Sequence, residues 1–221
     1  AQGNVGVLAS DTTASSIMDG GAAVSGGALG ASIGIGIISA TTHATIDDGA
    51  SVTALGKNAA LAYIASYAAS FGSYSDNFKA PGISQAGITG SAGNVGDPTS
   101  SAEAEEVGLA LLTEARTSSS QTLSAKGVIV NAATSNTVRE LDVGGAAAGA
   151  VAATLSASVP VITDDTQALI QGAARINQDS DTGASTAQSV TVAAASDLYN
   201  MGLAGSLAGG GLAAGGAGTS I

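Results

Sequence analysis

The 221-residue sequence has no cysteine, no tryptophan, two phenylalanines, four tyrosines, three prolines and a single histidine. Without cysteine there is no disulfide framework, no thiolate metal site and no cysteine nucleophile. His43 alone cannot build a multi-histidine metal site, and any Ser-His-Asp triad would have to rest on it. Aromatic residues make up 3% of the chain, so a core of large rings is excluded. Charge is scarce as well: 10% of residues are charged, against about 25% in ordinary globular domains. What charge there is falls on the acidic side, 17 Asp and Glu against 6 Lys and Arg, for a net charge of −11. That balance argues against a nucleic-acid partner, whose binders carry a basic footprint.

Long leucine-rich runs are also missing. The most apolar uncharged stretch, 144–162, is mostly Gly, Ala and Ser and contains Pro160, so no membrane span is expected. The opening Ala1-Gln2-Gly3-Asn4 has no basic region, and no signal peptide is expected within the sequence. It reads as a mature product or a piece of something longer.

What is present is small. Gly occurs 32 times, Ala is abundant, and the mean hydropathy is +0.35. Sparse charge with positive hydropathy points to a folded chain rather than a disordered one. A core of small side chains suits closely stacked backbones, either a parallel β-solenoid or helices packed through small residues.

Repetition decides between these. Ile33-Gly34-Ile35-Gly36-Ile37-Ile38 is echoed at Val107-Gly108-Leu109-Ala110-Leu111-Leu112 and again at Ala157-Ser158-Val159-Pro160-Val161-Ile162. A match 124 positions apart runs from Gly20-Gly21-Ala22-Ala23 against Gly144-Gly145-Ala146-Ala147 through to Ile46 against Ile170. A second strand type, Val128-Ile129-Val130-Asn131, recurs 62 positions later as Val190-Thr191-Val192-Ala193, and Val5-Gly6-Val7-Leu8 and Leu61-Ala62-Tyr63-Ile64 fit the same place. Polar lead-ins precede three of these: 51–54, 121–124 and 185–188.

The apolar period is 2, which belongs to strands and not to helices. The sequence therefore predicts an all-β chain, a right-handed parallel β-helix or solenoid built from degenerate repeats of about 62 residues. The blocks fall at about 5–70, 101–130, 131–190 and 191–221 in one domain, 1–221, with a loop insertion over 71–100. Ile33, Ile35, Ile37, Leu109, Leu111, Leu155, Val159 and Val161 are expected to point inward. The double apolar steps Ile37-Ile38, Leu111-Leu112 and Val161-Ile162 are expected to mark bends. Gly20-Gly21, Gly26-Gly27 and Gly144-Gly145 serve as corners or close approaches. Pro160 is tolerated only at an edge or bulge. Ser101 to Glu106 could open a short helix with Ser101 as its cap. Leu203 to Gly218 resembles the opening of a further repeat, so both ends of the chain are expected to be open strand edges.

Candidate chemistry is thin. His43 has Thr117 and Gln167 as repeat counterparts and reads as a solvated position. Asp47-Asp48-Gly49 and Asp164-Asp165 carry half the oxygens of a calcium site but lack a nonapeptide ladder, and read as turn residues. Gly26-Gly27-Ala28-Leu29-Gly30 lacks the Lys and helix of a phosphate loop. Glu103, Glu105 and Glu106 form a solvated acidic run. Tyr63, Tyr67, Phe71, Tyr74 and Phe78 cluster as a hydrophobic cap or a partner contact. No catalytic, metal-binding or cofactor-binding residue is assigned, and the chain is not read as an enzyme.

The order of a Gly-Ala-rich strand, Ile-Gly-Ile-Gly-Ile-Ile, Thr-Thr-x-Ala-x-Ile and Asp-Gly-Ala-Ser-Val-Thr-Ala, clearest over 30–54, resembles the repeats of giant bacterial exoproteins. These are the filamentous-haemagglutinin-like and leukotoxin-type adhesins. The resemblance implies a right-handed parallel β-helix in an extracellular stalk or fibre, with adhesion to a host or biofilm surface. Its partners would be neighbouring repeats, or identical subunits stacked end to end. A self-assembling filament subunit is the first alternative, and a β-helix polysaccharide-acting enzyme the second.

Overall fold

Alternation of β-branched residues with Gly, Ala and Ser favours extended chain over long distances. The computed structural model describes residues 1–71, 116–178, 183–209, 211–214 and 218–220, which are all-β, with no helix among them. The strands are β1 (Val5–Ile46), β2 (Ser51–Val52), β3 (Leu61–Phe71), β4 (Arg116–Ile170), β5 (Arg175–Ile176), β6 (Gln188–Gly209), β7 (Leu212–Ala214) and β8 (Gly218–Ser220). β1 and β4 run for 42 and 55 residues. The main sheet is mixed, in the order β1-β4-β6-β8, with β3 and β7 joined to β4, and β2 and β5 form a separate pair.

β1, β4 and β6 lie parallel, and their register reproduces the sequence repeat. Val128 pairs with Val190 and Val130 with Val192, the 62-residue match. Gly27 to Ile46 pair with Val151 to Ile170, the 124-residue match. Each repeated stretch therefore lies beside its own copy. The match breaks at Ser25/Gly27, where the register slips by one. Gly20 thus pairs with Val143, and Gly21 with Gly144, so the continuous 124-residue alignment expected from Gly20 onward does not hold there.

Each long strand doubles back on itself near that slip. Within β1, a Cβ on Gly21 would lie 2.8 Å from Ala31 O, and one on Gly34 2.9 Å from Asp19 Oδ2. Within β4, Thr166 Oγ1 donates to Thr134 Oγ1 at 2.8 Å, and Ala157 N donates to Asp142 Oδ2 at 3.1 Å. The first half of each strand faces its second half, giving two layers with the bend at Gly26-Gly27 in β1 and near Gly149 in β4. The core lies where the layers open widest: Val128, Val130 and Ala132 pack against Ala44 and Ile46, with Val5, Val7 and Ile170 beside them.

Three expectations are overturned by this geometry. The bend does not fall at Ile37-Ile38 or Val161-Ile162, where pairing runs unbroken; it falls at the glycines. Ile33, Ile35, Ile37, Leu155, Val159 and Val161 face solvent, with Ile35 62% exposed. The inter-layer gap near the bend is too narrow for them. It takes Ser32, Gly34 and Gly36 instead, and Gly36 abuts Ile17 and Glu140. Leu61 to Ser66 do not copy Val128 to Ala133. β3 runs antiparallel to the start of β4, pairing Leu61 with Ala125 and Phe71 with Arg116.

The lead-ins are likewise not equivalent, since Ser51-Val52 pair with Arg175-Ile176 while Gln121 to Ser124 pair with β3. Pro160 sits on a stretch of β4 with a strand on one side only among the described residues, as an edge position requires. The second repeat copy at 107–115 with Leu109 and Leu111, the 71–100 insertion beyond Phe71, and the 101–106 helix lie outside the described residues.

Candidate functional site: the open sheet face and strand edges

Side chains between the layers change character along the strands. At the strand ends far from the bend they are apolar. Toward the bend they become Thr134, Asn136, Glu140 and Asp142, all buried. Asp142 Oδ2 accepts from Gly34 N at 3.0 Å and from Ala157 N at 3.1 Å, so one carboxylate ties both second-half strands to β4. Ser158 Oγ donates to Glu140 Oε2. Glu140 Oε1, Asp142 Oδ1 and both polar atoms of Asn136 are buried without a protein partner. Among the described residues no group of three or more His, Cys, Asp and Glu is placed to hold a metal.

The outer face of the first halves is covered by β3 and the start of β4. Asn131 reaches up to Ile64, donating from Nδ2 to its carbonyl at 2.9 Å and accepting its N–H at 3.2 Å. Further along, Arg116 pairs with Asp197, and its guanidinium carbon sits 5.1 Å from the centre of the Tyr199 ring. Ser118 and Ser135 also donate to Asp197, at 2.6 and 3.4 Å. Burial pushes the Asp197 carboxyl up, but these hydrogen bonds and the Arg116 charge outweigh it and hold it below the usual carboxylate range. Tyr67 lies over the same cluster; burial raises its hydroxyl pKa, and the Asp197 charge adds to that. This polar clamp had no sequence signal, because Arg116 and Asp197 are 81 positions apart.

His43 stands on the exposed face beside Gln167 in register, with Nε2 2.9 Å from Asp165 Oδ2. Gln167 and then His43 hydrogen-bond to Asp165 and lower its pKa. Among the described residues no serine or threonine is hydrogen-bonded to His43, and Thr117 meets Ser70 on β3 instead of standing as a counterpart. Asp47-Asp48-Gly49 do form a turn: Ala50 N donates to Asp47 O, Asp48 Oδ1 accepts from Ala173 N at 2.9 Å, and Gly49 has φ +76°. Asp164 and Asp165 are not turn residues. They lie within β4, Asp164 between the layers bonded to Ser196 and Thr166, Asp165 outside. Gly26-Gly27 form the bend and precede strand, not helix. Tyr63 and Tyr67 lie on β3 and are half-buried, as a cap would require. Tyr74, Phe78, Glu103, Glu105 and Glu106 lie outside the described residues. A shallow concavity lined by Met18, Leu141 and Val143 presents Asp19 as its one titratable side chain.

No family model matches the chain, and no curated protein or solved structure matches it.

The feature left open to partners is the outer face of the second halves. Leu29, Ile33, Ile35 and Ile37 on β1 stand beside Leu155, Val159 and Val161 on β4 to form one apolar patch. Ser39, Thr41 and His43 beside Thr163, Asp165 and Gln167 continue it as a polar band. Such a contiguous exposed apolar face marks an interaction surface. Among the described residues β1 pairs with β4 alone. No helix among the described residues is long and apolar enough to cross a membrane.

Proposed function

We propose that this chain is a structural and adhesive segment of a bacterial surface exoprotein, acting outside the cell as part of a stalk or fibre and not as an enzyme. Its strands would be coils of a right-handed parallel β-helix, each first half and second half forming two sides of a turn. The observation that carries this reading is the identity between the sequence repeat and the parallel register: Val128 beside Val190, Ile37 beside Val161. A chain that stacks on copies of itself is suited to length and stiffness. The apolar patch around Ile35 supplies the adhesive face in this reading.

Beads coated with the chain test it. They should retain hydrophobic or glycan-coated surfaces better than beads carrying the Ile33→Ser, Ile35→Ser, Ile37→Ser triple variant. Equal retention by both would sink the adhesive assignment.

A filament subunit is the second reading, favoured by the edge of β1 that has no partner strand among the described residues. Growth in light scattering with concentration, seeded by preformed aggregates, is what it requires. A third role, as a β-helix enzyme acting on polysaccharides, would need acids and a base converging in a groove, and turnover of a glycan panel tests it.

A further inference from the structure

The apolar patch on the outer face of the second halves alternates in side-chain size across its two strands. Leu29 stands beside Ala153, Ala31 beside Leu155 and Ile33 beside Ala157; the next two rows pair Ile35 with Val159 and Ile37 with Val161. Leu29, Leu155 and Ile33 rise from the sheet at 82%, 66% and 62% exposure, and each has an alanine as its cross-strand neighbour. The rows nearest the bend therefore form a checkerboard of knobs and holes. No residue of 29–37 or 151–161 is charged.

A checkerboard of two columns is complementary to its own copy turned over. We propose that this face is covered by the same face of a second copy of the chain, in a two-fold dimer. The axis lies in the interface, parallel to the strands and midway between β1 and β4. Rotation about it keeps the strand direction, turns the face over and exchanges the columns, so the contact is isologous. Leu29 then stands over Ala153 of the second copy, Leu155 over its Ala31 and Ile33 over its Ala157, each knob above a hole, in a sandwich about 10 Å thick. Ile35 and Ile37 meet Val159 and Val161. Beyond them Ser39, Thr41 and His43 lie over Thr163, Asp165 and Gln167, so polar faces polar where the patch ends. The large side chains of the patch are 47% to 82% exposed. Together they offer about 800 Å², what one partner contributes to a standard interface.

An axis across the strands is the other way to turn the face over. Centred on the same rows, it would set Ile33 on Ile33 and Ala157 on Ala157, a clash beside a void. The strand-parallel axis avoids both. The interface lies on the side of the stack and not at its ends, so it does not depend on the filament reading. It goes beyond the adhesive reading too, since pairing and adhesion compete for one patch.

Sedimentation equilibrium of the full chain should give a dimer, tightened by added salt because two chains of net charge −11 repel. Ala31→Leu fills a hole, and Leu155→Ala removes the knob that fits it. Both positions are exposed in the single chain, so strand content by circular dichroism should persist. Each variant should weaken the dimer about ten-fold or more. The double variant Ala31→Leu/Leu155→Ala sets knob over hole again, and its affinity should return to within about three-fold of the parent. A chain monomeric at every concentration, a dimer indifferent to the single variants, or a double variant no tighter than the weaker single one would each overturn the proposal. A monomer that still retains surfaces on beads would remove the pairing and leave the adhesive reading standing; a dimer without retention would do the reverse.

Discussion

Asn131 holds Ile64 at both of its backbone polar groups, and its amide also donates to Ala193 O at 2.9 Å. One side chain thus joins β3, β4 and β6. Asn131 is buried, so Asn131→Ala removes its hydrogen bonds to the Ile64 N–H and C=O and to the Ala193 C=O from a water-poor site. The expected loss is about 1–3 kcal/mol. Urea denaturation measures it, and hydrogen exchange should show the Ile64 amide losing protection before the Val130 amide does.

Gly36 leaves no room for a Cβ, since that position is filled by Glu140 Oε1 with Ile17 Cδ1 at 2.7 Å. Gly36→Ala should destabilise by about 1–3 kcal/mol through overpacking. Gly149, at the bend of β4, has nothing within 4 Å of the same construction. Gly149→Ala should be neutral or gain up to about 1 kcal/mol by restricting the unfolded chain. Equal thermal shifts for the two variants would contradict the two-layer arrangement.

Ile35→Asp should be tolerated, at less than about 1 kcal/mol, because the side chain faces water on a half-open sheet. Val130→Asp, at a position with no exposure, should abolish folding or cost about 3–5 kcal/mol. Thermal melts of the pair decide which row is the core.

Acid should loosen the β3 layer. The Asp197 carboxyl is held below its ordinary value of 3.8, so its charged form is favoured in the folded chain. A group with a lowered folded pKa contributes stability that is present above the unfolded value and is lost as pH falls through the folded one. Protection of the β3 amides against exchange should therefore be constant from neutral pH down to the carboxylate range and fall below it. Asp197→Asn should weaken that protection at neutral pH and flatten its dependence on acid.

Strand content and register were legible because the repeat is written twice. The partners of Val128 and of Ile37 could be named from spacing alone, since parallel self-stacking converts a sequence offset into a neighbour. The facing was not legible. Size suggests that Ile33, Ile35 and Ile37 belong inside and the glycines between them outside. That rule holds where two layers are far enough apart for large side chains, and near the bend they are not. Glu140 and Asp142 were missed for a related reason: a charge in a period-2 row ordinarily marks the wet side, whereas here Asp142 is spent bonding backbone amides of two strands. Its register neighbour Asp19, at the matching place in the earlier copy, was the available hint. The Arg116–Asp197 clamp depends on the start of β4 lying over β6 together with β3, and period-2 alternation does not say which neighbour a strand will choose.

The one-residue slip opposite Gly26 also governs how such a chain can change its length. Within either half, adding or deleting one residue would turn every later side chain over, sending Ile33 or Leu155 into the gap and Gly34 or Ser156 out of it. At the bend, between Ser25 and Gly27 and between Ala148 and Val151, the two copies already differ by one residue while both halves keep their facing. Indels are therefore absorbed at this corner. It is where divergence can accumulate without disturbing the stack, and where a foreign loop or epitope could be grafted.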